Sequence, residues 1–252
     1  MKNTKTIGML LIAGAVGVLV PYTVLTIIFD YPDVLREDPG VVLTRFHAGG
    51  PQLILVWWAF ALLGLPLLPA YVRLGQWLQR QTTYMQWVTA VGVVSIVVQM
   101  AGLLRWVFVV PALAQLYVSA ENEGTRTTAT VVFQAFHQFG GVLLGEHMGQ
   151  LFTVVWTFMV SLAILQLRLF PRWVAWFGMV TAAIYALAQA ELAATVIPGF
   201  PVWEAAGFIG STLWLVWLIT VGARLIRIDS RHLSGSNPAK QNLRSSGHFP
   251  TS

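Results

Sequence analysis

Cysteine is missing from the 252-residue sequence, which excludes disulfides, thiolate nucleophiles and thiolate metal ligands. Charge is scarce as well. Asp, Glu, Lys and Arg together make up 10% of the chain, against roughly 25% in a soluble domain. Motif chemistry is thin too: there is no G-x-S-x-G, no H-E-x-x-H and no glycine-rich phosphate loop, so the common hydrolase, zinc-peptidase and nucleotide-binding signatures are absent. What fills the sequence is apolar. Hydrophobic residues reach 56% and mean hydropathy is +0.69, the composition of a single membrane domain. The net charge of +5 comes from bases in short loops and in the tail, beside apolar runs. They are expected to set topology and meet anionic lipid, not nucleic acid.

Apolar runs place the crossings. Lys2 and Lys5 precede one over 6–29, which at about 1.5 Å per residue spans a hydrocarbon core of roughly 30 Å. It is too long for the apolar part of a signal peptide and no small-x-small pattern closes it, so it is expected to remain as the first span. The segment Asp30-Tyr-Pro-Asp33-Val-Leu-Arg36-Glu37-Asp38-Pro-Gly40 has the residues of an ordered turn and is acidic on balance. Further spans are expected over 53–74, 87–110, 148–167, 173–197 and 205–226, completing a membrane domain over 1–228. Residues 229–252, rich in Ser, Gly, Asn and bases, are expected as a disordered cytoplasmic tail.

Thr125 to Leu167 is apolar for too long to be one ordinary crossing. The bases decide how it is used. Arg73, Arg80, Arg168, Arg172, Arg224, Arg227, Arg231, Lys240 and Arg244 fall on the side of Lys2 and Lys5 only if 148–167 alone crosses, as the positive-inside rule requires. Residues 127–144 are therefore expected as a helix lying on, or dipping into, the outer face. The predicted architecture is all-α: a polytopic bundle of six transmembrane helices plus one outer-face or re-entrant helix, with both termini cytoplasmic. Gly141, Gly145 and Gly149 recur every four residues, a spacing that brings a second backbone close in lipid.

Ionisable side chains in such a bundle are costly enough to suggest a site. This topology puts Glu146, His147 and Glu191 at the outer ends of spans and Arg105 slightly deeper, where either glutamate could reach it. Ser95, Gln99, Gly102 and Arg105 share one helical face, as do Glu146, Gln150, Thr153, Thr157 and Ser161. Where these seams meet, a hydrophilic cleft would open outward. The candidate ligand-binding or ion-pair residues are Arg105, Glu146, Glu191, His147, Gln99 and Gln150. Plainer readings stand beside this one: interhelical hydrogen bonds for the Ser, Thr and Gln side chains, an orienting ion pair for Arg105, and interface anchors for the eleven tryptophans. No metal site and no cofactor are expected. On a continuous helix His137 and His147 lie about 15 Å apart along the axis, and only a bend at the glycines, with His47 or Asp33 joining, would assemble a zinc site.

Phe29-Asp-Tyr-Pro-Asp-Val-Leu-Arg36, Arg105-Trp106 with Pro111-Ala-Leu-Ala114, and Gly145-Glu-His-Met-Gly149 leading to Trp156 occur in an order that resembles the bacterial multi-pass membrane proteins of domain of unknown function family 4386. The likeness runs from about Thr6 to Arg227. It implies an integral protein of a bacterial plasma membrane and assigns no catalytic residue. The expected partners are the lipid bilayer and a small polar, anionic or lipid-like ligand bound, moved or sensed in the cleft; a homo-oligomer stays open. The alternative is a membrane-embedded enzyme using His137, Glu146 and His147 in acid–base or metal-assisted chemistry, and the plainest reading is a structural bundle.

Overall fold

The computed structural model describes residues 3–235, with side chains over 4–228. Its elements are α1 (Asn3–Phe29), a 3-10 turn (Asp33–Arg36), α2 (Pro39–Leu62), α3 (Leu67–Gln79), α4 (Met85–Phe108), α5 (Val110–Val118), α6 (Glu123–Phe136), a π-helix (His137–Met148), α7 (Gly149–Gln166), α8 (Arg172–Leu187), α9 (Gln189–Ala194) and α10 (Ala205–Gly235). Six helical stretches are long and apolar enough to cross a bilayer, and the chain is a multi-pass membrane protein. Helices suit that solvent because they satisfy their backbone polar groups internally. Around the bundle, α1 neighbours α2 and α3, these neighbour α4, and α7, α8 and α10 follow in turn until α10 returns to α1. The two end helices meet where a Cβ on Gly8 would strike the carbonyl oxygen of Gly222. The start of α1 and residue 228 thus share one end of the bundle, the terminal end; the turn at 30–38 and the 195–204 loop occupy the far end.

Several boundaries differ from the expected ones. The second crossing, expected over 53–74, begins at Pro39, where the Asp38 carboxylate accepts the Gly40 N–H at 2.8 Å and caps α2. The helix bends at Gly50, whose φ of 55° favours glycine, just before Pro51. Gly49-Gly50-Pro51 reads as loop by itself, but Val42, Leu43 and Phe46 are buried against other helices and keep the segment before it helical. A second interruption over 63–66 separates α2 from α3. Beside Pro111, which was expected to end or kink the third crossing, the helix is interrupted at Val109, and Pro111 sits in the first turn of α5, where a missing N–H costs nothing. The run from 123 to 166 is continuous and counts as one crossing of the six; its first part, α6, is capped by Asn122 and packs on α5 and α2. Ala188 divides the fifth crossing into α8 and α9. Helix α10 passes the expected end at 226 and reaches Gly235, so residues 229–235, expected in the disordered tail, are helical; the rest of that tail, 236–252, lies outside the described residues.

Two aromatic-centred cores hold the molecule together. In the terminal half, Tyr71 stacks on Trp156 with centroids 3.6 Å apart, and Trp217 meets Trp156 edge-on at 6.0 Å. Ile7, Leu11, Val88, Val174 and Leu218 pack around them, so α1, α3, α4, α7, α8 and α10 all contribute. In the far half, Trp57 stacks on Trp106 at 4.6 Å, with Phe29, Phe46 and Phe133 around the pair. That second core draws on α1, α2, α4, α5 and α6 but on neither α8 nor α10. A small separate contact of Tyr185, Ala188 and Ala206 closes α8 against α10.

Candidate functional site

Between these far-end groups lies a cavity of about 810 Å³, a size that suits a drug-sized ligand. Its lower part is apolar, with Val18, Leu67, Ile96, Met100 and Leu215; its upper part carries Arg36, Arg105, Glu146 and Glu191. The glycine spacing read in the sequence positions one wall. A Cβ on Gly102 would lie 2.6 Å from the Gly145 Cα, one on Gly141 would sit 2.5 Å from the Arg105 guanidinium, and Gly149 abuts Gln99. The π-helix and the start of α7 thus run antiparallel to α4 at backbone contact. Bulkier residues would hold them apart.

The polar groups of that wall are tied across the seam. The Gln99 side-chain amide donates to the carbonyl of Gly149 at 3.3 Å and to the Thr153 hydroxyl at 3.0 Å. Gln189 donates to Gln150 at 3.1 Å, and the His147 Nδ1 lies 2.7 Å from Gln189 Oε1. The two polar seams expected on the third and fourth crossings therefore meet. Gln99, Gln150, Arg105, Glu146 and Glu191 line the cavity, whereas His147 and His137 stand outside its lining. His137 stacks on Phe133 at 5.5 Å, and His47 is exposed on α2. Among the described residues, no three of His, Asp and Glu gather as a metal-ligand set.

The charge pairing departs from the sequence reading. Arg105 does not pair with Glu146 or Glu191; Arg36 does. Its NH2 lies 2.8 Å from Glu191 and 3.3 Å from Glu146, and its Nε donates to Glu191 at 3.0 Å. Arg36 reaches them because Phe29 and Val34 are pulled into the far-end core, which folds the 30–38 segment back over the cleft. The signal was present in the apolar Val34 and Leu35 of an otherwise polar turn, one step before the arginine. Burial opposes the charge on Arg36, but the two carboxylates outweigh it and hold its pKa above the ordinary guanidinium value. Burial, followed by the charge on Glu146, pushes the Tyr31 phenol up, so it stays protonated and neutral.

Arg105 is left with little. It is only 8% exposed, donates from NH1 to the Gly102 carbonyl in its own helix, and lies with its guanidinium 5.2 Å from the Trp106 ring centroid. Among the described residues its Nε has no hydrogen-bond partner. A guanidinium buried this deeply is costly unless an acceptor reaches it, and the cavity is the place from which one can. No curated protein and no solved structure matches the chain. Residues 6–222 match the family described as Domain of unknown function (DUF4386), and the chain belongs to that family.

Proposed function

We propose that the protein binds an amphipathic small molecule in this cleft, its polar group against Arg105 and its apolar part in the lower cavity. The observation that carries the reading is Arg105: a deeply buried guanidinium with an unpartnered Nε, lining an 810 Å³ space whose other cation, Arg36, is already paired with Glu146 and Glu191. Glu146 and Glu191 neutralise Arg36 at the mouth and so keep the one free cation, among the described residues of the cleft, inside it.

In this reading the far end faces outward and both termini lie in the cytosol of a bacterial cell. Lys5, Arg73, Arg80, Arg168, Arg172, Arg224 and Arg227 cluster at the terminal end, while Asp30, Asp33, Glu146, Glu191 and Glu204 lie at the far one, which supports that orientation. Acid–base or metal-assisted chemistry has less support. Glu146 is held by Arg36, His147 by Gln189, and His137 stands outside the cavity. Native mass spectrometry of protein released gently from detergent tests the reading: we expect an amphiphile adduct on the wild type that Arg105→Gln loses. Equal adducts on both would refute it.

A further inference from the structure

The shape of the cavity mouth says where such a ligand comes from. On α1, Gly8 and Ile12 face α10 at Gly222. Continuing that face at helical spacing reaches Leu19, Tyr22 and Thr26, and all three line the cavity. From Gly222, the matching face of α10 reaches Leu215, Ser211 and Phe208, which line it too. The two helices are therefore in backbone contact near the terminal end and border a shared opening above it.

That opening is not confined to the aqueous end. Leu19 lines the cavity and is 37% exposed; Phe208 lines it and is 55% exposed. A residue that is both lining and exposed marks a mouth. Leu19 precedes Phe29, the end of α1, by ten residues, so at 1.5 Å per residue the mouth descends about 15 Å along the helix. It is a slit facing hydrocarbon, with an apolar floor and with Arg105 and Arg36 at its top. The order of chemistry along it, charged above, with Arg36 and Arg105 among Asp30, Asp33, Glu146, Glu191 and Glu204, and apolar below, is the polar-to-apolar order of a bilayer leaflet.

We infer, building on the binding role proposed above, that the cleft is entered sideways between α1 and α10 by a phospholipid of the surrounding leaflet. Its phosphate meets Arg105 and one acyl chain fills the lower cavity. The cavity takes a drug-sized volume, so the second chain stays in the bilayer, which only a lateral slit permits. Phosphate suits the site because a buried guanidinium donates planar, charge-assisted hydrogen bonds from its Nε and NH groups to oxyanions.

The test uses the full chain in nanodiscs of phosphatidylethanolamine and phosphatidylglycerol containing a phosphatidylglycerol with a photoactivatable acyl chain. Cross-linked peptides are mapped by mass spectrometry, and dihexanoyl phosphatidylglycerol is added separately to detergent-solubilised protein as a water-soluble probe. We expect labelling of the cavity-lining peptides 18–26 and 207–215, falling about tenfold in Arg105→Gln, the scale of one lost charge-assisted hydrogen bond. Ser211→Trp, which plugs the slit and leaves the charges alone, should lower it equally, and Gly141→Ala, which displaces the guanidinium, should lower it in part. Thermal unfolding confirms that each variant is folded. If labelling is unchanged in Arg105→Gln and Ser211→Trp, lateral entry is overturned. Should the soluble probe then still bind wild type and not Arg105→Gln, the cleft reading survives alone; should it bind neither, both fall.

Discussion

The terminal half and the far half of the bundle are both organised around stacked aromatics, yet one closes and the other does not. Tyr71, Trp156 and Trp217 come from three different parts of the chain and are surrounded by helices on all sides. Trp57 and Trp106 gather only the first part of the chain, and α8 to α10 stand off from them across the cavity. The difference lies in what bridges each half. Apolar packing joins the terminal half, and packing is indifferent to what comes next to it; in the far half Arg36 reaches from the first group to Glu191 on α9 and to Glu146 on the π-helix. A closed core supports the fold, and an ion-paired strap over a gap leaves room for a ligand.

This contrast can be broken most severely at the contact both halves share. Gly102→Leu would drive a side chain into the Gly145 backbone, and we expect a loss of about 3 kcal/mol, visible as a large fall in thermal midpoint and in yield of folded protein. The next effects should separate the halves. Trp156→Ala is expected to cost about 3–5 kcal/mol and to lower the midpoint of the whole bundle. Trp106→Ala removes a side chain as deeply buried, but protease sites in the 30–38 and 119–122 loops should become accessible before the bundle unfolds. Equal, fully cooperative loss in both variants would mean that the halves are one unit.

Smaller effects sharpen the comparison. The Arg36 side chain is 34% exposed, so Arg36→Gln should cost no more than about 1 kcal/mol in stability while speeding ligand exchange, measured as the off-rate of the photo-lipid or soluble probe. An unchanged off-rate would show that the clamp does not guard the cleft. The smallest effect concerns Tyr31. Its folded pKa is raised above the ordinary value, so its contribution to stability is complete below about pH 10 and is lost as pH climbs beyond that. Thermal midpoints of Tyr31→Phe and wild type should diverge in their pH dependence only in alkaline buffer.

Much of this was legible beforehand, and the failures have identifiable causes. Apolar length together with the placement of the bases announced the six crossings, and the Gly141, Gly145, Gly149 spacing announced a close neighbour, found in α4. Glu146 and Glu191 were each expected within reach of Arg105 and instead share Arg36. The guanidinium was misassigned because Arg105 stands out in an apolar run, whereas Arg36 sits in a turn where any charge looks at home. The apolar Val34 and Leu35 hinted at it, but the burial of Val34 and Phe29, a tertiary fact, is what turns that segment inward. Propensity could not separate the π-helical stretch from α-helix, since the two differ in hydrogen-bond register and not in the residues they accept. The early start of α2 was hidden for a related reason: His47-Ala-Gly-Gly50-Pro51 looks like a linker until Phe46 and Leu43 are seen packed.

One more consequence follows from the contact of Gly8 with Gly222. Because the first and last helices touch, the crossings form a closed ring in which order along the chain is also order in space. Such an arrangement is suited to circular permutation: linking the present ends and cutting within the 198–204 loop would leave every helix beside its former neighbours. It also means that a fluorescent donor on Lys5 and an acceptor on Arg224 would sit at the same end of the bundle, reporting directly on how the first and last helices move relative to one another.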